Sequence, residues 1–102
     1  MCMDQPLIQL RRGTAEGHVV PLGPVNLVFA LARSGMLACG AIDVPVLDKF
    51  DYAAARVRRP DGKPVATIDD LLTAEVREAN AAATARGVKP GMKGSEALEL
   101  LG

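Results

Sequence analysis

Aromatic side chains are almost missing from this chain. Phe29, Phe50 and Tyr52 are the full set, and there is no tryptophan. That scarcity removes the stacking platforms that hold single-stranded nucleic acid. An excess of positive charge is missing as well: 12 basic residues stand against 12 acidic ones. Nonspecific nucleic-acid binding needs such an excess, so no nucleic-acid partner is expected. Cysteine is scarce. Cys2 and Cys39 do not make a disulfide framework, which fits a reducing compartment. No apolar run approaches the length that spans a bilayer. The N-terminal MCMDQPL lacks the basic region and apolar stretch of a secretory signal. The expectation is a cytoplasmic protein with no membrane partner.

What the chain does have is aliphatic bulk. Hydrophobic residues make up 49% of its 102 positions, so the core is built from Val, Leu, Ile, Met and Ala. A chain of this length buries roughly two-thirds of its unfolded surface and needs no metal or disulfide to hold a core. One domain is expected.

The organising stretch is residues 26–47, NLVFALARSGMLACGAIDVPVL. Residues 27–32 are an unbroken apolar run, too short for a buried helix and right for a strand covered on both faces. Arg33, Ser34 and Gly35 form a turn, with Gly35 expected at positive φ. Residues 36–39 are a second strand, antiparallel to the first because the turn leaves no room for a crossover. Gly40 ends or bulges it. Asp43 caps a short helix over residues 44–50, with Pro45 in its first turn.

Before this stretch, residues 7–12 and 18–22 read as a hairpin joined by the loop 13–17. After it, AAARVRR (residues 53–59) reads as a strand, and Pro60-Asp61-Gly62 as a turn. Thr67 and Asp70 are placed to cap a helix that starts at Ile68. Ile68, Leu71, Leu72, Val76, Ala79 and Ala83 recur at helical spacing. That predicts a helix reaching Arg86, or two helices broken near Ala74 and Glu75. Gly87 closes it. Ser95 caps a last helix over residues 96–101. The fold expected is α+β: a single compact domain with a mostly antiparallel four- to five-stranded sheet against three to four helices, the helices largely on one face.

CGAIDV (residues 39–44), TIDDLL (67–72) and GVKPGMKGSEALELL (87–101) together resemble the YunC-like family, small bacterial and archaeal proteins grouped as a domain of unknown function. The resemblance runs from about Asn26 onward. It implies one compact α/β-type domain over residues 1–102, with residues 1–5 frayed, and it implies no activity. The chain departs from the family at RPDGKPVA (residues 59–66), where the link before TIDDLL is longer than usual.

Five features carry candidate chemistry, each with a plainer reading beside it. Cys39 lies before a glycine and a helix start, where a thiol is made reactive; its apolar neighbours fit a buried small hydrophobe instead. His18 is the one histidine and the one available base or ligand, or else a solvent-facing strand residue. A lone histidine does not make a metal site, which takes three or four ligands, so no metal and no cofactor is expected. Cys39, His18 and Asp43 are the one trio that can be assembled, and Gly40 and Asp43 are ligand-binding candidates beside the thiol. Lys93, Gly94 and Ser95 can cradle an anion at a helix start, or form an ordinary cap. Arg11, Arg12, Arg56, Arg58 and Arg59 make a carboxylate or phosphate patch if their strands lie side by side, or protect strand edges. Asp69 and Asp70 are adjacent on a helix and face different ways, which favours capping over acid–base work. The expectation is a non-enzymatic domain that binds a small ligand, an anionic one among the candidates, or a protein, and acts as a homo-oligomer, a dimer by preference. The alternative is a small enzyme or enzyme subunit using the Cys39 thiol.

Overall fold

The computed structural model describes residues 7–11, 13–21, 23–24, 26–39 and 44–102. Its elements in chain order are β1 (Leu7–Leu10), β2 (Gly13–Pro21), β3 (Asn26–Leu31), β4 (Gly35–Ala38), α1 (Val44–Asp48), β5 (Ala53–Arg58), α2 (Ile68–Thr73), β6 (Glu75–Ala79), α3 (Ala81–Ala85) and α4 (Gly94–Leu101). Among the described residues the strands form a single six-stranded sheet in the order β1-β2-β3-β4-β5-β6. The first four make a meander of tight hairpins. β4 and β5 run parallel, and β5 and β6 are antiparallel again.

The central hairpin is as the sequence predicts: Phe29 pairs with Ala38, and Leu31 with Met36. Its turn glycine serves another purpose. Gly35 is not among the positive-φ residues. It opens β4 with its Cα against the Ala53 backbone, and a Cβ there would collide with the Ala53 carbonyl oxygen. Close backbone approach is what requires glycine at that position.

Two expectations about the sheet are corrected. It has six strands rather than four or five, and it is mixed. The parallel pair arises because the connection between β4 and β5 is long enough to hold α1. The sixth strand lies inside the stretch from Ile68 to Arg86 that the sequence reads as one helix or as two broken near Ala74 and Glu75. α2 ends after one and a half turns, where Thr73 turns its hydroxyl back onto the Asp69 carbonyl at 3.0 Å. Glu75, Val76 and Arg77 then alternate exposed, buried, exposed, the period of a strand with one covered face. The break near Ala74 was legible; the strand after it was not.

The sheet separates two apolar clusters. On one face Val28, Ala30, Leu37, Ala55, Val57 and Val76 meet Leu71 of α2, Ala83 of α3 and Leu98 and Leu101 of α4. On the other, Met36, Ala38 and Ala54 meet Val44 of α1, flanked by Phe29, Leu31, Leu47 and Tyr52. Three helices therefore serve the larger cluster and α1 alone serves the smaller. Four leucines of the larger cluster, Leu37, Leu71, Leu98 and Leu101, are fully buried; truncating one to alanine in such a setting costs about 2–5 kcal/mol.

Asn80 ties the C-terminal half together. Its Oδ1 accepts from the Ala54 N–H at 3.1 Å and the Ala83 N–H at 3.0 Å. Its Nδ2 donates to the carbonyls of Val44 at 3.1 Å and Tyr52 at 2.8 Å. One buried amide thus caps α3 and links α1, β5 and β6 with its full bonding capacity satisfied.

The helix caps follow the sequence in part. Thr67 accepts from the Asp70 N–H at 3.1 Å, as predicted. Ser95 does not cap α4: the helix starts two residues earlier, at Gly94, and its N-cap is Lys93, with no side-chain cap bond. Gly87 follows α3 at φ 96°, the left-handed position expected of it. The expected strand end at Gly40, the Asp43 cap and the frayed N-terminus lie outside the described residues. No helix among the described residues is long and apolar enough to cross a membrane.

Candidate anion-binding groove

The chemistry-bearing part of this fold is the far end of the β5–β6 pair. β5 ends at Arg58, and the chain turns through Pro60, Asp61 and Gly62, with the Gly62 N–H donating to the Arg59 carbonyl at 3.0 Å. The link to α2 is then fixed by a short polar ladder. Asp61 Oδ1 accepts the Lys63 N–H at 3.0 Å, and Asp70 Oδ2 accepts the Ala66 N–H at 3.1 Å. Asn26 donates its amide to the Ala66 carbonyl at 3.0 Å. Arg59 spans the ladder, 2.7 Å from Asp61 and 3.5 Å from Asp70.

These contacts hold both carboxyls below the usual carboxylate range. The Lys63 N–H is the main cause for Asp61, with Arg59 adding to it. For Asp70 the main cause is the Ala66 N–H, again with Arg59 nearby. Each acts because bonds and positive charge beside a carboxylate favour its ionised form.

β6 supplies the opposite wall. Arg56 pairs with Glu78, and Val57 with Val76, so Arg77 is the extra residue of a bulge. Bulges re-aim side chains, and this one places an exposed arginine beside the end of β5. Together β5, the link and β6 enclose a cavity of about 490 Å³ lined by Arg56, Val57, Arg58, Arg59, Lys63, Pro64, Val65 and Arg77. That size suits a small organic ligand. A smaller recess of about 230 Å³ adjoins it, bounded by Arg58, Arg59, Pro60, Glu75 and Arg77.

The five basic side chains of the cavity fall into two sets. Arg56 is bonded to Glu78 at 3.0 Å and Arg59 is held by its two aspartates. Arg58 and Arg77 make no ion pair among the described residues, and Lys63 makes no close one but lends its charge to the Asp61 carboxylate.

The residues singled out from the sequence are scattered. Cys39 is 5% exposed and belongs to the larger cluster, where its Sγ accepts the Val28 N–H at 3.5 Å. His18 pairs with Phe29 across β2 and β3, which puts it on the opposite face from Val28 and Cys39. Its ring stacks on Phe29 at 4.9 Å. Its Nε2 is buried without a hydrogen bond, and Glu16 Oε2 lies 3.9 Å away. The sheet therefore stands between thiol and imidazole. Gly40 and Asp43 lie outside the described residues.

In the loop before α4, the N–H groups of Gly91, Met92 and Gly94 donate to the carbonyls of Val76, Lys89 and Ala74. Those of Gly91 and Gly94 tie the loop to β6 and to the residue before it. Gly94 packs its Cα on the Leu71 carbonyl, while Lys93 and Ser95 are exposed. Arg11 is separated from β5 by three strands and pairs with Glu99 at 3.6 Å; Arg12 is outside the described residues. No group of three metal-ligating side chains exists among the described residues. Sequence reasoning identified Arg56, Arg58 and Arg59 but missed Lys63 and Arg77. The alternation Glu75-Val76-Arg77 was the available signal.

A family model described as "Domain of unknown function (DUF1805)" matches residues 38–101. This chain belongs to the DUF1805 family. The matched DUF1805 segment contains every residue of the groove. The chain is 38% identical over 80 residues to "Uncharacterized protein YunC" of Bacillus subtilis (strain 168), covering 78% of this chain and 77% of that protein. It is also similar to the crystal structure of a protein of unknown function, TA1206 of Thermoplasma acidophilum. There the TM-score is 0.86 at 28% identity, over 99% of this chain and 94% of the other. The likeness to that structure extends over the whole six-stranded sheet, β1 and β2 included, whereas the family match begins at Ala38.

Proposed function

We propose that this DUF1805 domain is a non-enzymatic module that binds a small anionic ligand in the groove between the end of β5, the link 59–66 and β6. One observation carries the reading: Arg58 and Arg77 line a single cavity and make no ion pair among the described residues, with Lys63, whose charge acts on Asp61, beside them. Like charges brought together without partners repel one another. A bound anion removes that repulsion and adds charge-assisted hydrogen bonds. The bracing of Arg59 by Asp61 and Asp70 supports the same reading, since it fixes the wall of the groove without drawing on Arg58 or Arg77.

Titration calorimetry at low ionic strength, with a panel of small carboxylates and phosphates, tests it. Saturable binding to the unmodified chain, lost on Arg77→Gln, is the expected result. We also propose self-association. Its support is β1, a margin strand with no further strand beside it among the described residues and with Leu7 69% exposed. Unpaired sheet edges of this kind template pairing with a second chain.

A further inference from the structure

We infer that the groove's ligand is a phosphate monoester of a small organic molecule, an inference that rests on the anion-binding reading above. The first ground is charge. The cations without partners come from two segments, Arg58 from β5 and Arg77 from the β6 bulge, while Lys63 of the link shares its charge with Asp61. A phosphate monoester carries roughly −1.5 to −2 at neutral pH and three acceptor oxygens on one atom. A monocarboxylate offers one charge and two oxygens, which leaves a cation unanswered. A dicarboxylate has the charge but divides it between two ends, whereas the groove gathers its cations around one space.

The second ground is geometry. Both unpartnered cations are arginines, whose planar forks match phosphate oxygens two at a time. The third ground is volume. The cavity of about 490 Å³ is bounded on one side by Pro64 and Val65. A phosphoryl group fills only part of such a space, and the apolar wall suits the carbon body that an ester carries and inorganic phosphate does not.

The test uses calorimetric titration of the full chain with glycerol 3-phosphate, inorganic phosphate and succinate at matched low ionic strength. Arg58→Gln, Arg77→Gln and the control Arg33→Gln are compared, with melting curves to show that each is folded. Arg33 does not line the groove, so its variant removes the same charge elsewhere. The expected order is glycerol 3-phosphate, then inorganic phosphate, then succinate. Loss of one arginine from a charged contact should weaken the ester by roughly tenfold to a hundredfold, and Arg33→Gln should leave it unchanged. Succinate binding as well as the ester, with the same response to Arg77→Gln, overturns this inference and leaves the anion-binding reading standing. Inorganic phosphate matching the ester overturns the assignment of an organic body. An equal effect of Arg33→Gln, or no saturable binding by any probe, overturns both.

Discussion

Arg77 owes its place to one surplus residue. Without the bulge between Val76 and Glu78, strict alternation would oppose it to β5 in the ordinary ladder and turn the residues beyond it to the other face. Cys39 shows the reverse: a chemically suggestive residue in an inert setting. In a Cys2→Ser background, Cys39 should resist a thiol reagent until denaturant is added, because it is 5% exposed within the larger cluster. Rapid native labelling, followed by mass spectrometry, would contradict that placement. Residue identity was readable in the sequence, but reasons were often not. Gly35 and Gly94 stand out in a linear reading as turn and anion-cradle glycines. In three dimensions both are set by a carbonyl pressed against the Cα, that of Ala53 and that of Leu71. Such contacts join residues distant in sequence and leave no local trace.

At the scale of elements, the hairpins and caps were legible because their signals are local: apolar runs, turn glycines, the Thr67–Asp70 spacing. β6 was not, because its short run of Glu, Val, Arg and Ala is compatible with a helix until Asn80 and the sheet decide. Asn80 makes the decision physical. Asn80→Ala leaves two buried N–H groups and two carbonyls without their partner. At about 1–3 kcal/mol for each buried group stranded, a loss of at least about 3 kcal/mol is expected in urea unfolding. A change under about 1 kcal/mol would show that α1 and α3 are held by other means.

The link 59–66 makes a separate prediction. Asp61 and Asp70 titrate below their unfolded values. Their contribution to stability is therefore complete above the unfolded carboxylate range, near pH 4. It is lost as pH falls through the lowered folded values. Urea midpoints measured from about pH 7 down to about pH 2 should fall less steeply for Asp70→Ala than for the unmodified chain. Parallel curves would mean that the ladder does not fasten the link.

Across the whole molecule, the balanced charge counted from composition hides an uneven distribution. Glu99 neutralises Arg11 at the β1 end, while the β5–β6 end gathers cations without partners. Net charge excludes a broad electrostatic surface but says nothing of a local one. The expected patch of Arg11 with Arg56, Arg58 and Arg59 failed in its first member because strand order is a global property. A sheet that keeps chain order puts β1 and β5 four strands apart. The open β1 margin predicts a dimer by sedimentation velocity, one that a charged substitution at Ile8 weakens. A monomer at every concentration tested would remove self-association from the account.

The groove itself is tested most directly by titrating inorganic phosphate into the unmodified chain and into Arg77→Gln, both at low ionic strength. The account predicts saturable heat at one site per chain in the first and its loss in the second. Flat heats from the unmodified chain, or an isotherm that survives the loss of Arg77 unchanged, would contradict it.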